Sequence, residues 1–267
     1  MLLRLLKQDI RSTGRIMVVL YAAVLVLAAV SRLLSSFLDE TVGSVLIMFF
    51  ARAISVLFVV AVAACIVMTF VLMLIRFYKN FLTDEGYLMF TLPVTTGQLI
   101  WSKLLVAVLW VIVSAAVGIL ASFILTVGTD AQDIIFDLDL KEMFSVFTSG
   151  QSVAIVVLVI TLALLYAAYT YLRCYAAMAI GQCFSSRKLL LSVVFYIVFG
   201  IVESVALTAI ARPLLNPATL EKIFTSDVEP FRAAITTLGG FNGTYLVLCA
   251  IYFVITYLFF RKKLNLQ

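Results

Sequence analysis

RFYKNFLTDEGYLMFTLPVTTGQLIWSK, residues 76–103, separates two long apolar runs and decides how the chain is read. Thr83, Asp84 and Glu85 offer a helix start, with side-chain acceptors and negative charge where orphan N–H groups need them. Tyr87, Leu88, Met89, Phe90 and Leu92 then make a dense apolar, aromatic run. Pro93 stops it, because its ring pushes Leu92 out of the α region. Thr95 and Gln98 have capping-box spacing, so a new helix starts there and runs into the next apolar stretch. The pattern predicts a short helix over 83–92, held between two membrane spans. It shows large apolar side chains where a soluble loop would carry Lys and Ser. Two readings stand side by side. The helix packs on its own bundle or lies in the headgroup layer, where aromatics are common; or it docks into the groove of a partner.

Composition sets the class. Of 267 residues, 64% are hydrophobic and 12% charged, against about 25% charged in soluble domains. A soluble core cannot absorb that much apolar surface, so the chain is predicted to be an all-α integral membrane protein. No polar stretch is long enough for a separate soluble domain, and residues 1–267 form a single transmembrane domain. The net charge of +5 follows membrane topology and does not indicate nucleic-acid binding. Cys65, Cys174, Cys183 and Cys249 lie in or beside apolar runs without a C-x-x-C pair. They are expected to be free, buried thiols acting as small hydrophobes. The chain has no histidine, so the commonest general base and metal ligand is missing. It has no G-x-x-x-x-G-K-[ST] loop and cannot bind ATP through a P-loop. No carboxylate pair, and no Ser or Cys with a nearby base, supports catalysis.

Outward from the 76–103 stretch, six spans are expected. Residues 1–15 open the chain as an amphipathic helix, with Leu2, Leu3, Leu6 and Ile10 on one face and Arg4, Gln8, Arg11 and Arg15 on the other. Such a helix lies in the inner headgroup layer. Span 1 follows at Ile16–Leu34. Apolar sequence from Val45 to Ile75 would measure about 46 Å as a helix, beyond a hydrocarbon core of about 30 Å. Arg52 resolves the excess and places span 2 at Ala53–Ile75. Span 3 is Leu104–Val127. The exterior segment 128–151 carries Asp130, Asp133, Asp137, Asp139 and Glu142 without the spacing or glycine of a calcium loop. Span 4 starts near Ser152, is apolar to Leu172 and can continue through Gly181. Gln182–Lys188 is a turn and span 5 is Leu189–Ile210. Residues 211–243 are exterior, with Gly239 and Gly243 read as loop in preference to a G-x-x-x-G helix contact. Span 6 is Thr244–Phe260.

Charge fixes the orientation. The predicted cytoplasmic segments hold twelve Lys and Arg, the exterior six, and ten of the fourteen acids fall outside. Positive residues stay inside, so both termini and the 76–103 stretch are assigned to the cytoplasm. Glu203 is the acid well inside a predicted span. It is read either as a contact to a cationic or polar substrate, or partner of Arg32, Arg52 or Arg173, or as a residue reached by water near the outer end of span 5. Glu203 and Arg52 are the candidates for a substrate path. No metal site and no catalytic residue are expected.

With these residues in place, DEGYLMFTLPV at Asp84–Val94, followed by Gln98 and Lys103, resembles the segment between the second and third spans of bacterial type-2 ATP-binding-cassette (ABC) transporter permeases, particularly those of Gram-positive bacteria. The likeness extends more loosely over the whole chain: an N-terminal amphipathic helix, six spans and a long exterior segment before span 6. The resemblance implies a permease that works as a homo- or heterodimer on two separate ATPase subunits, which bind the ATP and Mg. Asp84, Glu85, Tyr87, Leu88, Met89, Phe90 and Leu92 would be the ATPase-docking residues of a coupling helix. Residues 1–15 would be the connecting helix and 211–243 a re-entrant segment over the path. Peptides, hydrophobic drugs or lipid-linked molecules are the candidate cargo. The alternative is a six-span binding or scaffold protein that couples to no ATPase.

Overall fold

The computed structural model describes residues 2–40, 45–82, 94–126, 150–184, 187–211 and 230–262. These form six helices: α1 Leu2–Glu40, α2 Val45–Leu82, α3 Thr96–Thr126, α4 Gly150–Gly181, α5 Lys188–Ala211 and α6 Pro230–Lys262. No strand occurs among the described residues. Each helix contains a stretch long and apolar enough to cross a membrane, from 21 residues in α5 to 31 in α2 and α3. Large apolar side chains such as Val18, Val59, Ile119 and Val205 face outward. Helices that carry apolar residues all round belong in an apolar solvent, where every backbone polar group must be satisfied within its own helix.

The residues cluster into two compact units, Met1–Arg76 with Trp101–Met143, and Phe77–Ile100 with Phe144–Gln267. In the first unit, α1 and α3 run parallel. The Trp110 indole N–H donates to Thr13 Oγ1 at 3.0 Å, and the Tyr21 hydroxyl donates to the carbonyl of Trp110 at 3.2 Å. Gly14 leaves van der Waals room for that indole. α2 runs the other way, with Arg76 beside Asp9 and Val62 beside Gly118.

In the second unit, α4 and α6 run parallel in a constant register. Asn242 Nδ2 donates to Leu158 O at 3.1 Å, and Cys249 Sγ to Leu165 O at 3.6 Å, both with a sequence separation of 84. The seven-residue step between these contacts is the period at which two helices keep one seam together. α4 and α5 form a tight hairpin at Gly181. A Cβ there would meet Lys188 O and Ser192 N, both at 2.9 Å, and the Ser192 hydroxyl. Two of these three atoms are backbone and cannot step aside. Gly181→Ala is therefore expected to cost about 1–3 kcal/mol, as overpacking does. Gly239→Ala, where a Cβ meets nothing within 4 Å, is expected to be neutral or to stabilise its helix by up to about 1 kcal/mol. Thermal unfolding in detergent measures both.

Several sequence boundaries shift. The 1–15 segment and span 1 are one unbroken helix, and Leu3, placed on the apolar face, is exposed. The face that turns inward carries Asp9, Thr13, Met17 and Tyr21, because Asp9 and Thr13 have partners on the neighbouring helices. α2 continues to Leu82, seven residues past Ile75. The loop expected at Gly239 and Gly243 is a helix, since α6 begins at Pro230, whose fixed φ suits a first turn. Among the cysteines, Cys65 and Cys174 are buried and Cys249 is half-buried, but Cys183 is exposed at the α4–α5 turn.

Candidate functional site

Among the described residues, each unit holds one buried acid that joins three helices. In the second unit it is Glu203 on α5, 6% exposed. Glu203 Oε2 accepts from the Tyr169 hydroxyl at 2.6 Å and pairs with Arg173 Nη1 at 3.3 Å, both on α4. Glu203 Oε1 accepts from the Tyr252 hydroxyl of α6. Arg173 Nη1 also donates to Tyr169 Oη at 3.2 Å, Nη2 donates to Tyr196 O at 3.0 Å, and the guanidinium lies 4.2 Å from the centre of the Tyr196 ring. Gly200 creates the notch that admits it, since a Cβ there would strike Nη2 and lie 3.4 Å from Cζ.

Glu203 lies 15 residues after the first residue of α5, so its Cα is about 22 Å along the helix from that end. The tilt of side chains toward a helix N-terminus carries the carboxylate further from the α5 C-terminus. Buried at 6% exposure with donors on both oxygens, Glu203 is not the water-exposed residue of one reading but the buried one. Of the three arginines considered as its partner, the structure supplies Arg173. Arg52 is exposed on α2 and belongs to the first unit. The carboxylate takes donors on both oxygens from its own chain.

In the first unit the buried acid is Asp9 on α1, also 6% exposed. Lys103 Nζ of α3 bonds both its oxygens at 2.7 Å, and Arg76 Nη2 of α2 stands 3.5 Å from Oδ1 while also bonding Ser12 Oγ. Sequence pattern did not single out Asp9. It stands among Arg4, Lys7, Arg11 and Arg15, where an acid reads as part of a solvated basic face. The available signal was spacing: Asp9 follows Leu2, Leu6 and Leu5 at helical intervals, on the side away from Arg11, and so shares the inward face with Thr13 and Met17.

The start of α3 follows the sequence. Thr95 N–H donates to Gln98 Oε1 and Gln98 N–H to Thr95 Oγ1, each at 3.4 Å, while Leu99 N–H donates to Thr95 O at 3.2 Å. This is the reciprocal capping box expected there. Thr95→Ala is expected to cost about 1 kcal/mol, read as a small loss of thermal stability. Asp84, Glu85, Tyr87, Leu88, Met89, Phe90 and Leu92 lie outside the described residues, as does most of 128–151 and of 211–229. Among the described residues, no group of three or more His, Cys, Asp or Glu could hold a metal ion. No family model, curated protein or solved structure matches the chain.

Proposed function

We propose that the chain is the membrane-spanning permease subunit of an ATP-driven ABC exporter in a bacterial cell membrane. It forms the translocation path as a dimer, with itself or a related permease, and couples through the 83–92 helix to a separate ATPase that binds ATP and Mg. The chain itself is a transporter subunit and has no ATPase site. The observation that carries the reading is the 76–103 stretch: an aromatic segment ending at Pro93, between an unbroken α2 and a capped α3. In a chain with six membrane-length helices and no P-loop, such an element suits docking on another protein that supplies the energy. Arg52 and Glu203 are kept as candidates for the substrate path. The carboxylate of Glu203 becomes available to cargo only if Arg173 withdraws.

Tyr87→Asp with Phe90→Asp places two charges in the docking face and is expected to release the ATPase. Retention of the ATPase and of its activity by the double variant would argue for the alternative, a six-span binding or scaffold protein. Both termini and residues 76–103 are cytoplasmic in this reading. A C-terminal tag that reacts only from outside intact cells would overturn it.

A further inference from the structure

We propose that a cluster of four packed aromatic rings seats the roots of the 83–93 segment on helices α4 and α6, making Phe77, Phe81, Tyr175 and Phe260 its positioning residues. That the seated element is an ATPase-docking helix rests on the function proposed above; the seat itself does not.

Phe77 and Phe81 are one turn apart at the end of α2, immediately before the segment. Both are buried, at 1% and 0% exposure. Phe77 lies flat on Tyr175 of α4, centroids 3.6 Å apart and planes at 6°. Phe81 packs on Phe260 of α6 at 5.3 Å, and Phe77 and Phe81 contact each other at 4.9 Å. Past the segment, Leu99 and Ile100 are buried, and Gly97 is in van der Waals range of the Tyr257 ring, with 3.9 Å to a Cβ built there. Tyr257 and Phe260 are neighbours on α6, so both roots end on the same short piece of one helix. The compact unit that holds α4 to α6 correspondingly includes Phe77–Ile100, although α2 and α3 continue past both of its ends.

The seat is two residues from Arg173 on α4 and eight from Tyr252 on α6. Both helices are joined to Glu203 by those residues. A close-packed cluster of rings transmits a displacement and does not absorb it. A pull on the segment is then delivered to the α4–α5–α6 body as a whole.

The test is hydrogen exchange of the chain in lipid nanodiscs. Phe260→Ala is expected to speed exchange in peptides covering 77–82 and 94–98 by about tenfold, leaving 9–21 unchanged, because local opening follows local packing. The competing anchor is the Asp9 ion pair with Arg76 and Lys103, so Asp9→Asn is measured beside it and is expected to leave 77–82 and 94–98 unchanged. A rise from Asp9→Asn alone, or equal rises from both, overturns the seat. If Phe260→Ala does not fold, Tyr175→Leu keeps the bulk and removes the ring, and an unchanged exchange rate in that variant overturns the proposal. Where an ATPase copurifies, ATP with vanadate should alter exchange in α4 of the wild type and not of Tyr175→Leu, with the ATPase still bound. An equal response in the two overturns the transmission. If no ATPase copurifies with the wild type, the docking function fails and the exchange result alone decides the seat.

Discussion

Glu203→Gln is expected to destabilise the protein by about 3–5 kcal/mol, the cost of leaving a buried charge without its partner. The glutamine keeps the shape: its Oε1 accepts from one tyrosine hydroxyl and its Nε2 donates to the other, so packing is little changed. What is lost is the negative charge 3.3 Å from Arg173. The guanidinium then faces Tyr196 and two apolar helices with no counter-ion. Glu203→Gln combined with Arg173→Met removes both charges and should recover most of the loss, since replacing a whole buried pair by apolar groups is often neutral. Denaturation in detergent distinguishes the two. A double variant as unstable as the single one would show that the pair is not the origin of the effect. Gly200→Ala tests the same arrangement from the other side: its Cβ evicts the guanidinium, so its cost should largely vanish once Arg173 is methionine, as coupled sites require.

The second large effect is at Asp9. Asp9→Asn leaves Lys103, also 6% exposed, beside Arg76 with nothing between two positive charges. The expected loss is again about 3–5 kcal/mol. Lys103→Met should cost less, because Arg76 still balances Asp9. Arg76→Gln should cost least, about 1 kcal/mol or below, since its contact is long and its side chain a quarter exposed. The order Asp9, Lys103, Arg76 is the checkable content, read from the denaturation midpoints of the three variants. An Arg76→Gln loss as large as that of Asp9→Asn would contradict the assignment of Lys103 as the main partner.

The six helices were legible because hydrophobic length alone identifies a span, and the Thr95–Gln98 box gave local punctuation that survives in the structure. The boundaries that moved did so where tertiary partners decide. Residues 1–15 and span 1 join in one α1, because the bonds of Asp9, Thr13 and Tyr21 to α3 hold both parts of the helix against it. Gly239 and Gly243 punctuate a sequence but not α6, where no Cβ is required and none is forbidden. Glu203 was visible as a costly residue in an apolar run; Arg173 was one of three possible partners, and only the hairpin closed by Gly181 and the notch at Gly200 select it. Asp9 was hidden by its basic neighbours. The aromatic seat joins residues 77, 81, 175 and 260, whose separations carry no period that a sequence reader could follow.

The two buried acids suggest one design used twice. Among the described residues, each unit ties three helices through a buried carboxylate, Asp9 on α1 reaching α2 and α3 and Glu203 on α5 reaching α4 and α6. In a solvent that offers no hydrophobic reward for helix association, packing and polar bonds between helices carry that work.

The most direct test of the central claim is affinity purification of the wild-type chain from its own membranes in mild detergent, with the bound partner identified and its ATP hydrolysis assayed. The account predicts a second polypeptide containing a P-loop, present in stoichiometric amount, hydrolysing ATP, and lost with Tyr87→Asp and Phe90→Asp. A fully folded chain that purifies with no ATP-hydrolysing subunit would contradict it.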